Sequence, residues 1–118
     1  MVNKENLFVY KIDKVIKIVD GDTLDVLVDL GFNVKIKVRV RLSGINAPES
    51  RTRNKEEKKL GLAAKQRLKE LCCEDLILQS HGIGKYGRVL GEIWKRGVSL
   101  NRILVAEGHA KEYHGEKR

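Results

Sequence analysis

Residues 34–42 read VKIKVRVRL, and their alternation has no break. Val34, Ile36, Val38, Val40 and Leu42 share one face, while Lys35, Lys37, Arg39 and Arg41 share the other. A period of two with one apolar and one charged side marks a β-strand that covers a core on one face and meets water on the other. Before it, Gly31-Phe32-Asn33 reads as a turn, and Leu24, Val26, Val28 and Leu30 alternate ahead of that turn. Asp20-Gly21 is a second turn signal, preceded by Tyr10, Ile12, Ile16 and Ile18 on one parity. Three strands joined by short turns make a meander with one apolar and one wet face.

Beyond residue 42 the pattern changes. Residues 44–48 break the strand, and 49–59 are polar and highly charged. The mixed signs of 55–59 suit a solvated segment. Leu60, Ala64, Leu68 and Leu71 then recur at helical spacing, with Ala63 beside them. Leu76-Ile77-Leu78 is a short strand, 81–87 holds three glycines and reads as a loop, and 89–94 is another strand. Ser99 can cap a second helix carrying Leu100, Ile103 and Leu104, which Gly108 ends. A short basic tail follows. Three strands, a helix, two strands and a helix is the order of the five-stranded OB-fold, a partly open β-barrel with helices in the α+β class. Periodicity alone reaches only a small α+β or β-barrel domain.

The 118 residues suit one domain, with a core expected over about 10–113. Hydrophobic residues are 42% and charged residues 34%, an ordinary globular balance. The net charge of +8 suits a polyanionic partner, because neutralised phosphates release counterions. A basic surface with no such role is the simpler alternative. A lipid surface ranks below both, since no basic amphipathic helix is flanked by aromatics. Cys72 and Cys73 are adjacent, a spacing that rarely meets disulfide geometry. They read as buried thiols at a helix end, in keeping with a reducing compartment. No apolar leader segment opens the chain, so a cytoplasmic location is expected; a secreted protein already trimmed reads the same.

Three short stretches carry chemistry. Residues 19–23, VDGDT, read alone as a hairpin turn, although two acids flanking a glycine also offer oxygen ligands to a hard cation. Residues 41–49, RLSGINAPE, place Arg41 at a strand end before a loop holding Asn46, Pro48 and Glu49. They read either as solvated charges or as a phosphate clamp, a metal ligand and a base on one segment. Residues 84–88, GKYGR, read alone as a tight turn, yet a glycine loop with Lys, Tyr and Arg can also hold a phosphate and stack a base. His81, His109 and His114 lack metal-ligand spacing. Trp94 falls in a strand pattern and reads as core or rim.

Together, in this order and spacing, DGDT, R-L-x-G-I-x-A-P-E and K-Y-G-R resemble the staphylococcal nuclease (thermonuclease) family, over nearly the whole chain from about Tyr10 to Tyr113. The resemblance implies an SNase-like OB-fold and a nuclease that uses calcium to cut DNA or RNA, leaving 3′-phosphate ends. It implies calcium ligands at Asp22, Asn46 and the carbonyl of Ala47. Glu49 would act on the attacking water, and Arg41 and Arg88 on the phosphate oxygens. Lys85 and Tyr86 would meet a neighbouring phosphate, and Tyr113 a base. The chain departs from the family in two places: Asn46 stands where an Asp is usual, and Gly84 where an acid is usual. An amide offers oxygen without charge, which lowers the expected calcium affinity. The cationic row, Lys35 and Lys37 included, is a further expected nucleic-acid contact. The expected state is a monomer without a protein partner or a membrane. Two other classes compete with the enzyme: an OB module that binds nucleic acid without cutting it, and a protein-interaction domain.

Overall fold

The first strand does not keep the period of two. In the computed structural model, which describes residues 8–114, β1 (Val9–Asp20) pairs antiparallel with β2 (Thr23–Gly31) through three successive register shifts. The shifts fall between Ile12 and Lys14, between Val15 and Lys17, and between Ile18 and Asp20. Each adds one residue to β1 and none to β2, so the strand's inward residues recur every third position. Ile12, Val15 and Ile18 therefore face the core opposite Val28, Val26 and Leu24. Ile16, expected inside by parity, is exposed.

β2 pairs antiparallel with β3 (Val34–Leu42) from Thr23↔Arg41 to Gly31↔Val34. Phe32 and Asn33 close this hairpin with positive φ of 55° and 64°, the sense that suits a right-twisted two-residue turn. The alternation expected for β2 and β3 is present, but the core uses only its inner part. Leu24, Val26, Val28, Val40 and Leu42 are buried, whereas Leu30, Val34 and Ile36 are exposed and Phe32 is 99% exposed. The hairpin runs past the barrel, and among the described residues none buries its end.

The chain continues through β4 (Ile45–Asn46), helix α1 (Lys55–Leu71), β5 (Leu76–Ile83), a 3₁₀ turn (Lys85–Gly87), β6 (Val89–Lys95), β7 (Val98–Ser99), α2 (Leu100–Ala106) and β8 (Lys111–Glu112). The main sheet has the order β3-β2-β1-β5-β6-β7, and a parallel β3–β6 pairing at Val40↔Val89 closes five strands into the OB barrel. β5 outruns the short strand expected, crossing Gly82 at an irregularity in its pairing with β6. β4 pairs with β8, bringing Asn46 beside Lys111.

Helix α1 starts at Lys55, earlier than the apolar repeat suggests, because the Asn54 side chain accepts hydrogen bonds from the N–H groups of Glu56 and Glu57, both at 3.1 Å. Its buried stripe is Gly61, Ala64 and Leu68, while Leu60 is exposed and Leu71 packs at the core's edge. Ser99 caps α2, accepting from the N–H of Arg102 at 3.3 Å. Each fully buried Leu or Val contributes roughly 1.5–3 kcal/mol to stability, and Leu24, Val40, Leu42, Leu68 and Leu104 are fully enclosed. Helix α1 ends just before the cysteines. Cys72 is half-buried, and burial pushes its thiol up to about 12. Cys73, expected inside, is exposed. The half-buried Trp94 donates its indole N–H to Gln79 at 3.0 Å. The basic tail at 115–118 lies outside the described residues.

Candidate active site

The turn between β1 and β2 supplies two carboxylates. Gly21 sits between them against α1: a Cβ there would lie 2.6 Å from the Ala64 Cβ, so only glycine lets the turn seat on the helix. Asp20 accepts hydrogen bonds from the Ser50 backbone N–H and hydroxyl. Asp22 is only 6% exposed. Its Oδ1 accepts from the Thr23 hydroxyl at 2.9 Å, and its Oδ2 from the Ala47 N–H at 2.8 Å. Arg41 Nη2 lies 3.5 Å from Oδ2, so this buried carboxylate is paired as well as hydrogen-bonded.

Arg41 stands on the same face of β3 as Lys35, Lys37 and Arg39, but the chain around it folds over to hold it. Its Nη1 donates to the Leu42 carbonyl at 2.7 Å, and its Nη2 also reaches the Asn46 side-chain oxygen at 3.4 Å. The 43–44 turn beneath is anchored by the buried Asn101, whose amide donates to the Ser43 carbonyl at 2.9 Å and the Gly91 carbonyl at 3.2 Å. Glu49 is exposed on the segment leading to α1.

The opposite wall is the loop between β5 and β6. The Gly84 N–H donates to the Arg88 carbonyl at 2.7 Å, pinning the loop closed despite its glycines. Tyr86 adopts φ 62° and is 92% exposed, with the Arg88 guanidinium 5.9 Å from its ring centre. That separation suits a cation–π contact. Tyr113 follows β8, and its N–H donates to the Gly44 carbonyl at 2.8 Å.

These pieces enclose an open cleft of about 650 Å³ lined by Asp20, Asp22, Arg41, Glu49, Lys85, Arg88 and Tyr113. Residues from four separate stretches of sequence thus meet on one surface. The Ala47 N–H holds Asp22 from the cleft's inner wall. Asn46 touches Arg41 from one side but otherwise faces an adjoining groove with Glu56 and Lys111. Tyr86 stands at the rim rather than in the lining. Lys35 and Lys37 do not line the cleft; they lie further along β3, with Lys35 paired to Asp13 at 3.2 Å. Thr23 and Ser50, which hold the two aspartates, had no role in the sequence reading. Their signal was adjacency to Asp22 and Glu49.

Among the described residues no group of three or more His, Cys, Asp or Glu converges. The candidate donors are instead a carboxylate at Asp22, a second at Asp20 and an amide at Asn46, all oxygen. Asp22 Oδ1 keeps a second lone pair beyond the hydrogen bond from Thr23. An all-oxygen set of this kind fits a hard cation such as calcium and suits soft metals poorly.

Comparison with known proteins gives a consistent picture. Residues 39–118 match the family described as staphylococcal nuclease homologue. The chain is 34% identical over 110 residues to a micrococcal nuclease of Shigella flexneri, covering 85% of this chain and 57% of that protein. It is 38% identical over 113 residues to Protein ParB of Escherichia coli, covering 86% and 58%. An uncharacterized endonuclease of Escherichia coli is 28% identical over 102 residues, covering 85% and 60%. The chain therefore spans less than two thirds of the length of these relatives.

Proposed function

The chain belongs to the staphylococcal nuclease family, and from that premise we propose that it is a calcium-dependent nuclease that hydrolyses phosphodiester bonds of DNA or RNA and leaves 3′-phosphate ends. The observation that carries this reading is the convergence of Arg41, Arg88 and Lys85 with Asp22 and Glu49 in one open cleft.

Hydrolysis at phosphorus places growing negative charge on the phosphate oxygens. Two guanidinium groups and an ammonium on the cleft walls oppose that charge, and the planar fork of Arg matches two oxygens at once. Arg41 is preorganised by its contacts to Leu42, Asn46 and Asp22. Glu49, exposed at the cleft mouth, takes a proton from the attacking water or orients it. As the water oxygen bonds to phosphorus the P–O5′ bond breaks, the departing 5′-oxygen takes a proton from solvent, and the phosphate stays on the 3′ side. Lys85 holds an adjacent phosphate, with Tyr86 at the rim. Tyr113 offers its ring to a neighbouring base. Asp22, Asn46 and the Ala47 carbonyl would hold the calcium ion, with Asp20 behind them. When bound, a hard dication supplies charge neutralisation at the scissile phosphate.

A second reading, a module that binds nucleic acid with little turnover, draws support from Asn46, which gives the ion one charge fewer. End-group analysis separates the two. A 5′-labelled oligonucleotide incubated with calcium should yield fragments that a polymerase extends only after phosphatase treatment. Fragments extended directly would refute the proposed bond cleavage, and an intact oligonucleotide bound to the protein would favour the module.

A further inference from the structure

The bulges of β1 reorganise its charged residues as well as its apolar ones. Across the three-stranded sheet the pairing registers align Lys11 with Asp29 and Lys35, Lys14 with Leu27 and Lys37, and Lys17 with Asp25 and Arg39. The next row on this face is Asp20, Thr23 and Arg41, which belongs to the candidate active cleft. A strict period of two would have sent Lys14 to the opposite face from Lys11 and Lys17. The first two one-residue insertions instead set all three lysines on the outer face, and all three are exposed.

The charges on this face are unequal. Arg39 is held by Asp25 through bonds of 2.8 and 3.1 Å, and Lys35 by Asp13 at 3.2 Å. Asp29 accepts from its own turn at the Gly31 N–H, 2.8 Å away. Among the described residues, Lys11, Lys14, Lys17 and Lys37 have no carboxylate within 4 Å. The face thus presents a rail of three lysines on β1 and a single one on β3, none in a close ion pair although Asp25 attracts Lys17 and Lys37 at longer range, separated by the width of two strand spacings, about 9.6 Å. Leu27, half-buried, lies between Lys14 and Lys37. The rows repeat about every 6.6 Å along the strands. From Thr23 to Asp29 they extend the cleft by about 20 Å.

We infer that the outer face of β1–β3 is a track for single-stranded nucleic acid leading out of the cleft, with Lys11, Lys14 and Lys17 as its main phosphate contacts. This rests on the nuclease reading for the kind of ligand and adds a path for the strand away from the scissile bond. A single backbone fits between the β1 rail and Lys37, where a duplex would overhang them. The track holds several nucleotides, within the roughly 4–16 known for one OB fold.

The test uses 4-mer and 16-mer single-stranded DNA, with a chelator present to hold off cleavage, and reads affinity by anisotropy against salt. The wild type is expected to bind the 16-mer more tightly and with a steeper salt slope. In the triple variant Lys11→Gln, Lys14→Gln, Lys17→Gln the 16-mer slope should fall by about 2, at roughly 0.7 per lost phosphate contact. The advantage of the 16-mer over the 4-mer should shrink on the order of tenfold. Asp29→Asn, which removes a carboxylate from the same face, should strengthen 16-mer binding. An unchanged slope in the triple variant, with its circular dichroism intact, overturns the track. An equal loss on a 16-base-pair duplex overturns the single-strand assignment. A protein that binds as described but never cuts would keep the track and lose the nuclease.

Discussion

Replacing Gly61 with alanine sets two principles against each other. In an exposed helix, alanine is favoured over glycine by about 1 kcal/mol. Here Gly61 faces the segment that carries Glu49. A Cβ at this position would lie 2.2 Å from the Glu49 carbonyl oxygen, 2.4 Å from its carbon and 2.7 Å from the Ser50 nitrogen. All three are backbone atoms, so no side-chain rotation relieves the clash. Reaching ordinary contact near 3.5 Å requires the segment and helix to part by more than about 1 Å. Overpacking of this kind costs about 1–3 kcal/mol, more than the propensity gain. The displaced segment carries the proposed base, and Ser50, which holds Asp20, moves with it. A 1 Å misplacement costs on the order of 10²-fold in rate. Urea unfolding should show Gly61→Ala less stable than the wild type, and cleavage of single-stranded DNA at saturating calcium should fall by about that factor. A variant stabilised by about 1 kcal/mol with normal cleavage would show that α1 does not buttress Glu49.

Arg88→Ala and Glu49→Gln should each lower turnover by about 10²–10³ with little change in stability, as measured by initial rates and thermal melting. Arg41→Ala should lose as much activity and also stability, because it removes the cation beside the buried Asp22; equal melting temperatures would refute that coupling. Asn46→Asp should tighten calcium binding on the order of tenfold from a weak starting range of about 10⁻⁴–10⁻³ M, and calorimetric titration showing no gain would remove position 46 from the ligand set. The Arg39 guanidinium hydrogen-bonded to Asp25 holds that carboxyl below its usual range. A depressed folded value stabilises above the unfolded pKa near 3.9 and is lost as pH falls through the folded value. Asp25→Asn should therefore cost about 1 kcal/mol at pH 7, discounted for the half-exposed Arg39, with the gap closing below about pH 4 in urea titrations.

Strand β3 and its hairpin to β2 were legible because one face is buried and a shift of one residue would turn every side chain over. The same logic failed on β1. Its three bulges convert a period of two into three, and the extra residues, Asp13, Ile16 and Val19, share no residue type that would mark them. In α1 the stripe centred on Ala64 and Leu68 was readable, but Gly61 was not. Its place inside reflects a close approach to Glu49 that no hydrophobic period encodes. The β4–β8 pairing, two residues on each side, joins positions too far apart in sequence to be read. At the site, motif order brought Asp22, Arg41, Glu49, Lys85, Arg88 and Tyr113 to one cleft. The cationic row expected from Lys35, Lys37, Arg39 and Arg41 is interrupted by carboxylates from neighbouring strands, Asp13 on Lys35 and Asp25 on Arg39. Cross-strand neutralisation depends on register, which the sequence of one strand does not carry.

The cleft holding Asp22, Arg41, Glu49 and Arg88 is proposed to cut phosphodiester bonds. The most direct measurement is a time course of purified protein with plasmid and single-stranded DNA on a gel, in calcium and in chelator, beside Glu49→Gln prepared identically. The wild type should cleave progressively in calcium and not at all in chelator, and the variant should be slower by about 10²–10³. Undiminished cleavage in chelator, or equal rates for wild type and Glu49→Gln, would contradict that proposal.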